Sequence, residues 1–343
     1  MRTKITLGLC SFSILLLASA CATVSSEIAK PIPTIPKVIE YNVLSGREGV
    51  NGPVLVVKVD DTNLARPQIG LEDADVVYIE QVEGGLTRLA AVFSSVIPVR
   101  IGPVRSARIS DIEIMSQYGR VAFAYSGAQR KLLPVIDGAN VVNLGAQAQS
   151  PTIYTTDPTR NQPYAMVLRA DLLMQRVLDK GYAVDSAQSV GWKFGVVDSV
   201  GVPISRAVIR WPAAQYGVIW STVENRWLLT HNNEPKLADT GKQLSATTFV
   251  IQITSITPSI YGDKFGGTTP LSRSVGTGPG YILRNGKSFT ATWSRASDEV
   301  GTTWRALDGS EIAFAPGQIW VALTDTEPDF TLIPMSAKPT PTK

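Results

Sequence analysis

Cysteine is almost missing from this chain. Of its 343 residues only Cys10 and Cys21 are cysteines, and Cys10 lies in an apolar stretch near the N-terminus. A chain cut just before Cys21 keeps one thiol at its first position with nothing to pair with, which excludes a disulfide framework. Histidine is scarcer: His231 is the single one. A histidine-rich zinc site is therefore excluded, and any Ser-His-Asp or Cys-His nucleophile would have to use that residue. His231 closes the alternating run Arg226-Trp227-Leu228-Leu229-Thr230 like the end of a strand, and reads as a structural or surface residue. Excess charge is lacking too. There are 32 Lys and Arg against 29 Asp and Glu, a formal charge of +3 that falls to +1 once Arg2 and Lys4 are removed. No basic face is built, so nucleic acid is not an expected partner. Finally, the apolar run from Ile5 to Leu17 is shorter than the ~20 residues a membrane-crossing helix needs.

What that run resembles is a signal peptide over residues 1–20. Arg2 and Lys4 give a positive start, and Ala18-Ser19-Ala20 supplies small residues for cleavage. Leu17-Ala18-Ser19-Ala20-Cys21 resembles the bacterial lipobox, in which the cysteine thiol receives a diacylglycerol and the new N-terminus a further acyl chain such as palmitate. Two or three chains, at ~0.8 kcal/mol per buried methylene, make such an anchor effectively permanent. The other reading is plain secretion, with cleavage after Ala20 or Ala22. The expected location is the extracytoplasmic side of the cell membrane, held there by lipid on Cys21.

Removal of residues 1–20 leaves 323 residues, enough for about two domains. Residues 21–52, with Pro31, Pro33 and Pro36, read as a tether reaching up to ~100 Å at about 3.3 Å per residue. Residues 53–195 read as a mixed α/β domain. Strands are expected at Val54–Val59, Val76–Ile79, Leu89–Ser95 and Val121–Tyr125, and helices over Ile109–Tyr118 and near Ala170–Lys180. Residues 196–330 read as β-rich, with short strands, an Asn285-Gly286 hairpin turn, an Asp308-Gly309 turn, and six of the seven tryptophans. Residues 331–343 read as a disordered tail. The fold class is α+β: a mixed α/β N-terminal domain, then a β-rich C-terminal domain.

One segment carries candidate chemistry. Glu72, Asp73, Asp75, Glu80 and Glu83 fall within twelve positions that hold no Lys or Arg; Arg88, Arg100, Arg105 and Arg108 follow with no acid before Asp111. Gly84-Gly85 joins the two blocks and permits a sharp turn or a close backbone approach. Ser106 or Ser110 is a candidate N-cap for the next helix. Arginines at a helix N-terminus oppose its dipole, so they call for a partner. Three readings are open: an internal salt-bridge lattice, an anion site in which Arg88, Arg105 and Arg108 hold phosphate or carboxylate, or carboxylates Glu80, Glu83 or Asp111 holding a metal. The candidate ligand-binding set is Glu80, Glu83, Thr87, Arg88, Arg105, Ser106, Arg108 and Asp111, with no resident metal or cofactor and no assigned catalytic residue.

At these residues the chain resembles the YerB-like bacterial lipoproteins, a family of unknown function. The likeness rests on Ala65-Arg66-Pro67-Gln68-Ile69-Gly70-Leu71-Glu72-Asp73-Ala74-Asp75, Val82-Glu83-Gly84-Gly85-Leu86-Thr87-Arg88 and Gly102-Pro103-Val104-Arg105-Ser106-Ala107-Arg108. It continues through Asp239-Thr240-Gly241-Lys242 and Pro316-Gly317-Gln318-Ile319-Trp320-Val321, and covers roughly residues 53–325. It implies a two-part extracytoplasmic lipoprotein and no activity. Tyr164 and Ala165 stand where family members tend to carry His and Asn, which favours binding over acid–base chemistry. The expected function is a non-catalytic envelope lipoprotein that binds an anionic wall polymer or an envelope protein. The alternatives are an enzyme acting on a phosphate-linked glycan and a purely structural scaffold.

Overall fold

In a computed structural model the described residues are 39–333 except 198, 264 and 265. The expected signal peptide, the expected lipidation site Cys21, the expected tether up to 38 and the expected tail from 334 lie outside the described residues.

The hydrophobic pattern of the first region sets a sheet. β1 (Leu55–Asp60), β2 (Val76–Gln81) and β3 (Thr87–Phe93) pair antiparallel through β3, and Val121–Ala124 adds to β1 in parallel. β1 is buried at every position, as expected for a strand covered on both faces. Val57, Val59, Leu89, Ala91, Val77 and Ile79 share one core, while Val56, Ala90, Val92, Val76 and Tyr78 share the other. That split is the period-two alternation of a pleated strand.

The second region continues the same sheet. Ile319–Thr324 pairs in parallel with β2 on one side and with Thr248–Ile253 on the other. From there the sheet runs through Gly276–Arg284, Lys287–Arg295, Val202–Trp211, Ala214–Ser221 and Arg226–His231. The expected hairpin forms where Asn285 and Gly286 both take positive φ, 51° and 71°, the backbone that a two-residue type I′ turn requires.

Strand accounts for 43% of the chain and helix for 12%, so the α+β class holds with a small helical part. Among the described residues the α-helices are α1 (Ser110–Ser116), Leu133–Gly138 and Ala170–Asp179. None is long and apolar enough to cross a membrane.

Two expected boundaries move. Residues 39–52 belong to the folded body, not to a tether: Asn42, Leu44 and Ser45 are buried. Asn42 Nδ2 donates to Ser94 Oγ at 2.8 Å and Ser45 Oγ to Asp75 Oδ1 at 2.8 Å. Those partners are about fifty and thirty residues away, so no local pattern announces them. At the other end Thr331 and Leu332 pair with the strand Val202–Trp211, so the tail does not begin at 331.

Candidate functional site

β1, β3 and β2 place Asp60, Arg88 and Glu80 side by side on one face of the sheet, since Arg88 is in register with both acids. Lys58 lies one pleat away on the same face. Neither acid takes Arg88. Glu80 Oε1 accepts from Lys58 Nζ, and the same ammonium reaches Asp111 Oδ1 at 2.7 Å. Lys58, Glu80 and Asp111 are all fully buried. One ammonium between two dry carboxylates leaves a negative charge uncompensated. Burial, and next the Asp111 charge, push Glu80 up to about 7.

Gly84-Gly85 turns the chain from β2 into β3, with both residues at positive φ, 69° and 71°. The turn leaves Glu83 facing the segment before α1. Arg108 Nε and Nη2 donate to Glu83 Oε2 at 2.9 and 2.7 Å, and Thr269 Oγ1 donates to Oε1. Burial raises the Glu83 pKa, but these bonds outweigh it and the net shift is downward. Arg105 Nε sits 2.5 Å from Asp60 Oδ2, close enough for an ion pair although it is not aligned as a hydrogen bond. The helix itself starts differently from expectation. Neither Ser106 nor Ser110 caps it; Asp111 Oδ2 accepts from Arg108 N at 2.6 Å, and Ser110 Oγ accepts from Ser272 N at 3.0 Å.

Arg88 differs from Lys58, Arg105 and Arg108. Its Nη1 donates to Ser106 O at 3.2 Å, and among the described residues no carboxylate lies within ion-pair distance of it. Burial, then the neighbouring charges of Arg108 and Arg105, push its pKa down to about 10.

These residues wall an open cleft of about 1130 Å³. Glu83, Thr87, Arg88, Arg105, Ser106 and Arg108, six of the eight sequence candidates, line it. Glu80 and Asp111 do not; both are fully buried and held by the Lys58 ammonium. The metal reading is corrected on the same ground. The Lys58 ammonium occupies the place between Glu80 and Asp111 that a cation would take, and Glu83 is engaged by Arg108 and Thr269. The sequence gives no signal for two other wall residues, Arg130, which adds a fourth guanidinium, and Gln129; Tyr164, noted there only as a departure from the family pattern, also lines the cleft, its ring centroid 5.5 Å from the Arg105 guanidinium carbon.

A smaller hollow of about 310 Å³ shares Thr62, Leu86, Thr87 and Tyr164 with the cleft and reaches His231. His231 is buried, and its Nε2 is 3.4 Å from Asp61 Oδ2. Asp61 also accepts from Lys236 Nζ, from Thr87 Oγ1 at 2.6 Å and from Tyr216 Oη at 2.8 Å. Burial pulls the histidine pKa down more than Asp61 pulls it up.

Comparison with known proteins gives a consistent result. Residues 44–183 match the family described as "Protein of unknown function (DUF3048) N-terminal domain", and residues 207–321 match its C-terminal domain. A Bacillus subtilis protein described as "Putative lipoprotein YerB" is 52% identical over 56 residues. That stretch is 16% of this chain and 17% of the relative, so the sequence match spans about a sixth of the relative's length. The crystal structure of the YerB protein from Bacillus subtilis superposes with a TM-score of 0.70 at 19% identity, covering 84% of this chain and 99% of that one. At that identity the likeness establishes the shared fold.

Proposed function

This chain belongs to the DUF3048 family, carrying its N- and C-terminal domains in order, and from that premise we propose that it is a lipid-anchored extracytoplasmic protein that binds an anionic component of the cell envelope in the arginine-lined cleft. The anchor half of the reading rests on the lipobox-like Leu17–Cys21 and on the description of its Bacillus relative as a lipoprotein. Cys21→Ser is expected to move the protein from the membrane pellet to the soluble extracytoplasmic fraction and to abolish labelling by palmitate. A variant that stays in the pellet and keeps its label would remove Cys21 from the account.

The binding half is carried by Arg88, a guanidinium in the cleft wall with no carboxylate partner among the described residues. Arg108 and Arg105 lie near enough to depress its pKa. Arg88 thus carries a charge that no carboxylate neutralises, and charge-assisted bonds from guanidinium to phosphate or carboxylate are the strong kind. The scaffold reading draws on the other two arginines, which Glu83 and Asp60 already pair. Arg88→Gln separates the two. If the cleft binds anions, the variant loses about tenfold or more in affinity for isolated wall polymer and for inorganic phosphate, at unchanged thermal stability. Lower stability with undiminished wall sedimentation favours the scaffold.

A further inference from the structure

The cleft is larger than one anion requires. At about 1130 Å³ it is the size of a site for a small organic molecule. Its walls also differ in chemistry. Arg88, Arg105 and Arg108 bring charge, and Tyr164, with the Arg105 guanidinium carbon 5.5 Å from its ring centroid, brings an aromatic surface beside them.

We propose that the cleft takes a glycosyl phosphate, a pyranose ring bearing a phosphate ester, with the phosphate at Arg88 and the ring against Tyr164. This rests on the anion-site reading above and adds the identity of the uncharged part. The aromatic wall is fixed in advance of any ligand. Arg160 pairs with Asp157 at 3.2 Å and donates to the carbonyls of Ala65 at 2.8 Å and Pro67 at 2.6 Å. These bonds tie the loop that carries Tyr164 to the segment following β1, and Tyr164 N donates to Asn161 O at 2.8 Å within it. A preset ring costs no ordering when a sugar face covers it. Arg105 packs over the Tyr164 ring, but its ion pair with Asp60 holds it as well, and the phosphate is placed at Arg88 rather than at Arg105.

The test is titration calorimetry on the full chain in detergent micelles, with inorganic phosphate, a hexose 1-phosphate and the methyl diester of that hexose phosphate. The hexose 1-phosphate is expected to bind about tenfold tighter than inorganic phosphate, the size of one good aromatic contact. Tyr164→Ala should erase that factor while leaving inorganic phosphate affinity in place, and Tyr164→Phe should keep it. Thermal unfolding of both variants controls for folding. A diester that binds as well as the monoester identifies a polymer-linked unit; binding of the monoester alone identifies a free sugar phosphate. Both keep the shared chemistry. Equal affinity for phosphate and hexose phosphate, or equal losses of both in Tyr164→Ala, would overturn the sugar assignment and leave the anion site standing. Absence of binding to any of the three would overturn the anion site itself.

Discussion

Lys58→Met is expected to lower the unfolding free energy by about 3–5 kcal/mol, read as a large drop in urea midpoint, because it strands two carboxylates in a dry interior. Lys58 is fully buried, and its ammonium touches both Glu80 and Asp111. Methionine replaces the volume and not the charge. Asp111 keeps one support, since its Oδ2 accepts from Arg108 N at 2.6 Å, whereas Glu80 Oε2 has no hydrogen-bond partner. Glu80 should therefore take up the proton that relieves the pair. Adding Glu80→Gln to Lys58→Met is expected to recover part of the loss. The same reasoning fixes a pH dependence in the parent protein. Glu80 titrates near 7 in the folded state, against an ordinary value of 4.5. A raised folded pKa means the folded state binds the proton more tightly, so stability relative to Glu80→Gln grows as pH falls from about 7 toward 4.5 and is lost as pH rises through 7. A stability difference between parent and Glu80→Gln that is flat from pH 8 to 5 would show that Lys58 alone compensates Glu80.

Much of this arrangement was visible in the sequence, but only along the chain. The β-branched run Val54–Val59 forms β1, which extends to Asp60, and the odd members of that strand are Lys58 and Asp60. A lysine and an aspartate in such a strand are a signal of buried charge, less conspicuous than the acids and arginines further on. The charge pattern singles out Arg88, Arg105 and Arg108, and these three line one cleft. It could not tell that Glu80 and Asp111 turn inward, because strand register and helix phase relative to β1 are tertiary facts. A change in strand length and composition near residue 196 is legible in the sequence. That both regions share one sheet is not, since the parallel pairing of Ile319–Thr324 with β2 joins residues some 240 positions apart. Parallel pairing between distant segments leaves no local turn signature.

A second buried pair, joining the two regions, supports a loss of about 3–5 kcal/mol on Asp61→Asn. Asp61 immediately follows β1, while Lys236, His231 and Tyr216 come from the C-terminal region. Asp61 and Lys236 are both fully buried. Burial alone would raise the Asp61 carboxyl, but Lys236 first and His231 second outweigh it and hold the group far below its ordinary value of 3.8. The sign follows: its contribution is present above the unfolded pKa, persists through neutral pH, and fades as pH falls through the acid range. Asparagine keeps the shape and most of the hydrogen bonds from Thr87 and Tyr216, so the loss isolates the charge. The orphaned Lys236 has its own escape. Burial already pulls its pKa down, and without Asp61 it can shed its proton, so the penalty should shrink as pH rises. Asp61→Asn with Lys236→Met should be more stable than Asp61→Asn alone, because no buried ion is left unpaired. A single variant as stable as the parent at pH 6, or a double variant no better than the single, would mean that this pair does not hold the two regions together. The stakes reach the cleft, because Thr87 lines it and hydrogen-bonds to Asp61. If the pair does hold, weakening it should also loosen the wall on which Arg88 stands.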